Sequence, residues 1–191
     1  MGQRSQIYIR YNKKLVVANY YQWNYSEKMI SRARHGIEYI KDNFIEYRNF
    51  IFDNPHYMKQ LSRIFDVNFD MKDVQISTNI IEEWKDDDDF NDFVFIRQDN
   101  NDGKLFVDIL ENGTIKYAFL DCNCDMENIM NAAKYMDWDS EDWRNSKYID
   151  NEQKKLCEDN LKAIEEMAVL MTKEEMKDFI SYDYGYRNSQ F

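Results

Sequence analysis

His35 is the residue in this chain best placed for acid-base chemistry, because it lies on a run that also carries Arg32, Arg34 and Tyr39. Cations grouped around an imidazole can hold a phosphate while the ring moves a proton. That grouping suggests one candidate activity, a phosphodiesterase or RNA-cleaving enzyme built on a basic N-terminal helix around His35. The ordinary alternative is a histidine on the surface of a helix. Cys122, Cys124 and Cys157 form no zinc-like C-x-x-C pair and have no histidine beside them in the sequence, so they suggest neither a metal site nor a nucleophilic thiol. Three cysteines, an odd number, fit a reducing compartment. The lipase-type serine elbow, the phosphate-binding P-loop, the H-E-x-x-H zinc pattern and the dinucleotide glycine pattern are all missing, so no catalytic residue, metal ligand or cofactor is assigned.

The second chemical feature is carboxylate. The net charge is −11 over 191 residues, but residues 1–64 hold eleven Lys and Arg against five acids, +6, so the remainder carries −17. Between Glu82 and Asp102 there are nine acids against Lys85 and Arg97, a net of −7. Four consecutive aspartates, Asp86, Asp87, Asp88 and Asp89, repel one another and should lie on a solvated loop. An EF-hand is excluded there, because counting back from Gly103 puts Gln98 at the first ligand position. A later stretch, Asp137, Asp139, Glu141 and Asp142, is interleaved with Trp138 and Trp143. Aspartates among aromatics can imitate the phosphate rows of a duplex and attract a protein with a basic channel. Asp86, Asp87, Asp88, Asp89, Asp92, Asp137, Asp139, Glu141 and Asp142 are therefore the candidate partner-binding residues. The competing readings are that the basic and acidic parts neutralise each other within one fold, or that the acids only confer solubility.

The elements that must position these residues follow from pattern. Ile7, Ile9 and Tyr11 alternate with Tyr8 and Arg10 as in a strand with one buried face, and Leu15 to Ala18 form a more continuous apolar strand after the break at Asn12 and Lys13. Asn24 with Glu27 predicts a helix start, followed by an apolar stripe of Ile30, Ala33, Ile37, Ile40 and Phe44, with Lys28, Arg32, Arg34 and Lys41 opposite. Asn54 and Pro55 predict a second helix with Met58, Leu61 and Phe65 inward, ending near Asp66. Residues 73–81 read as a strand. Three runs, at 92–98, 104–110 and 114–120, predict an antiparallel meander, with Asn112 and Gly113 as a type I′ turn. Asp125, Asp150 and Thr172 each cap a predicted helix, and Thr172 with Glu175 forms a capping box. The methionines fall at helical core spacing, where gap-filling is their expected role.

The opening, with Met1, Gly2, Arg4, Tyr11, Asn12, Lys13, Gln22 and Trp23, resembles that of small proteins from phages and mobile elements of Gram-positive bacteria, over about the first quarter of the chain. Lys13 stands where glycine is usual in that pattern, and no catalytic residue carries over. Small acidic proteins from the same setting include anti-CRISPR proteins, some of which resemble DNA and block the site where Cas9 reads its target-flanking motif with arginines. The resemblance thus implies an acidic inhibitor, a DNA mimic, acting by protein-protein interaction in the cytoplasm of a bacterial host.

Together these readings predict a single α+β domain over 1–191: an antiparallel sheet of about five strands, from the N-terminal hairpin and the central meander, with helices packed on it. At 43% hydrophobic and 16% aromatic the chain is too apolar for disorder, and its longest aliphatic run is too short to span a bilayer. Gln6 stands where an N-myristoylation signal needs Ser or Thr. The expected partner is a nucleic-acid-binding protein with a basic channel, with Cas9 as one candidate. A membrane is not expected, and direct nucleic-acid contact only through the basic N-terminal helix.

Overall fold

The computed structural model describes residues 3–51, 60–68, 70, 72–84, 94–95, 101–182 and 184, with the side chains of 44–51, 73 and 84 outside that description. Two N-terminal strands, β1 (Arg4–Tyr11) and β2 (Lys14–Gln22), pair antiparallel around a two-residue turn. Asn12 and Lys13 both have positive φ, 43° and 64°, the geometry of a type I′ turn. The long helix α1 (Ser26–Ile51) follows, then the short strands β3 (Val67–Asn68), β4 (Asp73–Val74) and β5 (Thr78–Asn79) and a single helical turn, α2 (Ile80–Trp84). The predicted strand over 73–81 is thus two short strands and the beginning of α2. A hairpin, β6 (Lys104–Ile109) with β7 (Ile115–Leu120), leads into α3 (Ala132–Asp139), α4 (Asn151–Met167), β8 (Val169–Leu170) and α5 (Lys173–Ser181).

The fold is α+β, but the sheet is mixed and six-stranded, in the order β5-β2-β1-β6-β7-β8. This corrects the expected antiparallel sheet of five strands. β1 runs parallel to β6, from Gln6 opposite Lys104 to Tyr11 opposite Ile109, and β8 runs parallel to β7. The first run of the predicted meander, 92–98, lies mostly outside the described residues, and the two described there, Val94 and Phe95, form a buried turn. The edge of β6 away from β7 is taken by β1. The physical consequence is coverage of both faces, as parallel strands generally require. β1 is buried along its length rather than on one face. Ile7 and Ile9 join α1, α3 and α4 on one side, and Tyr8 joins Phe95, Phe106 and Phe179 on the other. The Tyr8 hydroxyl is satisfied there by the Val94 carbonyl at 2.7 Å.

The β6–β7 turn also differs in detail from its expectation. Gly113 N–H donates to the Leu110 carbonyl at 2.9 Å and only Gly113 has positive φ, 87°, giving a three-residue loop ending in a left-handed glycine instead of a type I′ pair. α1 starts at Ser26, not after Asn24, whose side chain is drawn inward to Ser5 Oγ at 2.8 Å and to Arg32 Nε at 3.0 Å. The helix continues past Asn43, and the predicted inward role of Phe44 lies outside the described side chains. The Asn54–Pro55 start and Met58 also lie outside the described residues, while Leu61 and Phe65 are buried as expected. The helix expected from Asp125 splits in two. Asp125 caps only a short 3-10 turn, and Asn131 caps α3 by accepting from Lys134 N–H at 2.8 Å. Both remaining caps form as read, with complete capping boxes at Asp150 with Gln153 and at Thr172 with Glu175. Tyr184 folds back, its hydroxyl on the Phe179 carbonyl at 2.6 Å. No helix among the described residues is long and apolar enough to cross a membrane.

Two substitutions test this packing. A Cβ on Gly36, in the middle of α1, would sit 2.1 Å from the buried Phe65 ring. Gly36→Ala should therefore destabilise the protein by about 1–3 kcal/mol in denaturant unfolding, despite alanine's higher helix propensity. Lys13→Gly should do the opposite, raising stability by about 1 kcal/mol in the same assay, because the left-handed conformation strains any residue with a Cβ.

Candidate functional site

The carboxylates of the later acidic stretch sit at the end of α3 and in the turn that follows. Trp143 anchors that turn, 1% exposed, donating Nε1–H to Asp137 Oδ1 at 3.0 Å, while Arg144 stacks over its ring at 4.5 Å and reaches the same carboxylate at 2.8 Å. Asp142 has left-handed backbone, φ 56°, and accepts from Asn145 Nδ2 at 2.6 Å. Asp137, Glu141 and Asp142 are exposed, as are Trp138 and Tyr148, the latter 86% accessible. Asp139 does something different. Its Oδ2 accepts from Ser26 N–H at 2.6 Å and Ser26 Oγ at 2.8 Å, so a carboxylate from α3 caps the start of α1. Three of the four later candidates are thus exposed, Asp137 in the last turn of α3 and Glu141 and Asp142 in the turn after it, and the fourth holds two helices together. Asp86, Asp87, Asp88, Asp89 and Asp92 lie outside the described residues.

Beside Asp139 is a carboxylate that sequence reasoning did not single out. Asp102 is 6% exposed and accepts from Arg4 N–H, and its carbonyl receives the Tyr135 hydroxyl at 2.8 Å, which also lies 3.5 Å from Asp139 Oδ2. Burial, with the Asp139 charge adding to it, pushes the Asp102 carboxyl up to about 6. Burial also raises Asp139, against the opposing bonds from Ser26. Nothing local in sequence marks the pair, which is joined only where α3 meets the start of β6.

The phosphate cradle expected around His35 does not assemble. Arg32, predicted to face solvent, is fully buried, with Nη1 on the Phe65 carbonyl at 2.5 Å and its guanidinium 5.4 Å from the Tyr21 ring. Asn24 and a turn carbonyl meet it there. Arg34 is tied to Glu38 at 2.8 Å, and Tyr39 is exposed. His35 Nδ1 lies 2.6 Å from Arg34 Nη1, and since a guanidinium only donates, Nδ1 accepts and Nε2–H points to Asp70 Oδ1 at 3.0 Å. Both ring nitrogens are therefore occupied. Asp70 also accepts from Ser31 Oγ at 2.7 Å and Asn160 Nδ2 at 2.6 Å, linking α1 to α4. Burial works to raise the Asp70 carboxyl, but the bonds from Ser31, His35 and Asn160 outweigh it and hold it below its ordinary value.

The basic and acidic parts of the chain do meet, in a cleft of about 350 Å³ between the β1–β2 turn and α5. Arg10, 3% exposed, forms a two-bond pair with Asp108 at 3.0 and 2.6 Å, and reaches Asp178 at 3.0 Å. Lys13 also pairs with Asp178, at 3.3 Å, and Lys116 with Glu175. Two of the N-terminal cations thus share one C-terminal acid, Asp178. Among the described residues no group of three or more His, Cys, Asp and Glu side chains is arranged to hold a metal ion. No protein-family model, curated protein or solved structure matches this chain.

The Asp102 environment has a direct pH consequence. Its folded-state pKa lies above its ordinary value of 3.8, so its contribution to stability is complete below that value and is lost as pH rises through about 6. Asp102→Asn keeps an acceptor for Arg4 N–H and removes the charge. Unfolding curves should show the variant about 1–2 kcal/mol more stable than the parent at pH 7, with the difference vanishing near pH 3.5.

Proposed function

We propose that the chain is an acidic binding protein that inhibits a nucleic-acid-handling protein by offering carboxylates to its basic channel. The observation that carries this reading is the end of α3 and the turn after it, where Asp137, Glu141 and Asp142 are exposed, as are Trp138 and Tyr148, with buried Trp143 anchoring the backbone through Asp137. Burial does not hide the acid excess. Among the described residues the buried cations Arg10, Arg32 and Lys104 are matched in number by the buried acids Asp66, Asp102 and Asp108. Exposed carboxylates attract a cationic groove at long range, and adjacent aromatic rings supply contact area on arrival. The resemblance of the opening to phage and mobile-element proteins narrows the proposal to an anti-CRISPR protein acting on Cas9 in the bacterial cytoplasm, where acids would stand in for the DNA that its arginines read. In this proposal Asp86 to Asp89 and Asp92 supply further carboxylates to the same channel.

The triple variant Asp137→Asn, Glu141→Gln, Asp142→Asn tests it. Purified Cas9 with its guide should cleave target DNA in the presence of the parent chain far more slowly than in the presence of the variant. The affinity of the parent should fall at least about tenfold between low and physiological salt. His35→Ala should leave inhibition unchanged. Equal binding by parent and triple variant, with both folded by circular dichroism, would overturn the assignment.

A further inference from the structure

Lys104 opens β6 and is fully buried. Buried ammonium groups are ordinarily matched by a carboxylate. The bonds described for Lys104 Nζ go instead to the Cys122 carbonyl at 2.8 Å and to Cys124 Sγ at 3.1 Å. The loop after β7 is shaped to present that sulfur. Asp121 Oδ1 accepts from both Asn123 N–H and Asp125 N–H at 3.0 Å, and Cys124 N–H bonds the Asp121 carbonyl at 3.2 Å. Within this bend Cys124 takes a left-handed φ of 56°, a strained conformation for a residue with a Cβ. Cys124 is half-buried as a residue, and its Sγ also donates to the Phe95 carbonyl at 3.6 Å.

We propose that Lys104 and Cys124 form a self-modification site, in which two-electron oxidation by a hydroperoxide joins the lysine nitrogen to the cysteine sulfur as a sulfenamide. In the first step the sulfur attacks the peroxide oxygen. An S–O bond forms, the O–O bond breaks, the sulfur is oxidised to sulfenic acid and the peroxide is reduced to water or alcohol. In the second step the ammonium releases a proton to solvent and its lone pair attacks the sulfenic sulfur. The N–S bond forms, the S–O bond breaks, and hydroxide leaves as water with the second nitrogen proton. Burial pushes the Cys124 thiol up and the Lys104 charge opposes it, so little of the thiolate that the first step uses is present at neutral pH. The product ties the beginning of β6 to the loop beyond β7, independently of any partner.

The test treats the full chain with hydrogen peroxide and follows intact mass and tryptic peptides. The expected product is lighter by about 2 Da, returns to the parent mass with dithiothreitol, and gives a peptide uncut after Lys104 and linked to Cys124. Cys122→Ser should still form it, while Cys124→Ser and Lys104→Arg should not. Loss of the mass change in Cys122→Ser would mean a Cys122–Cys124 disulfide and would overturn the proposal. So would gain of about 16 or 32 Da at Cys124 with normal cleavage after Lys104. Should Lys104→Arg fail to fold, the linked peptide of the parent chain decides the matter alone.

Discussion

The parallel pairing of β1 with β6 is the constraint on which the rest of the molecule depends. It places β1 in the middle of the sheet, with helices α1, α3 and α4 against one face and α2, α5 and the Val94–Phe95 turn against the other. Every side chain of β1 between its ends must then be accommodated away from water. Arg10 is the demanding one. Its two bonds to Asp108 and its third to Asp178 match the guanidinium's planar donors, and its face lies 4.5 Å from the Phe179 ring. A buried pair of this kind adds little net stability, but removing either partner leaves an uncompensated charge. It therefore specifies where α5 docks more than it strengthens the docking.

The same logic runs through the other polar contacts between distant segments. Asp139 reaches across to the start of α1, Asp70 joins α1 to α4, and Arg32 joins α1 to the Phe65 turn. Each is a charge brought inside and met by several partners from elsewhere in the chain. The molecule uses part of its charge as internal connectors and leaves the acids of the turn after α3 outside. That division separates positioning from display, and it explains why two aspartates so close in sequence as Asp137 and Asp139 have different surroundings.

Much of the local architecture was legible from residue order. The N-terminal hairpin, the β6–β7 hairpin, the helix start at Asp150, the capping box at Thr172, and the apolar stripe of α1 all arise from interactions spanning a few residues, where spacing alone determines which groups meet. The turn types were less legible. Asn12–Lys13 adopts the type I′ geometry that Asn112–Gly113 does not, because strand register on either side decides how many residues the loop must hold.

By itself, then, the sequence determined the α+β composition, the hairpins and the helix starts at Asp150 and Thr172, since these depend on period, capping and turn chemistry within one segment. Only the tertiary structure decided that β1 lies parallel to β6, that Arg32 points inward, that Asp102 and Asp139 become neighbours, and that Lys104 meets Cys124. The physical reason is common to all four. A buried polar group must find its partner across the fold, and no spacing along the chain encodes which distant group that will be.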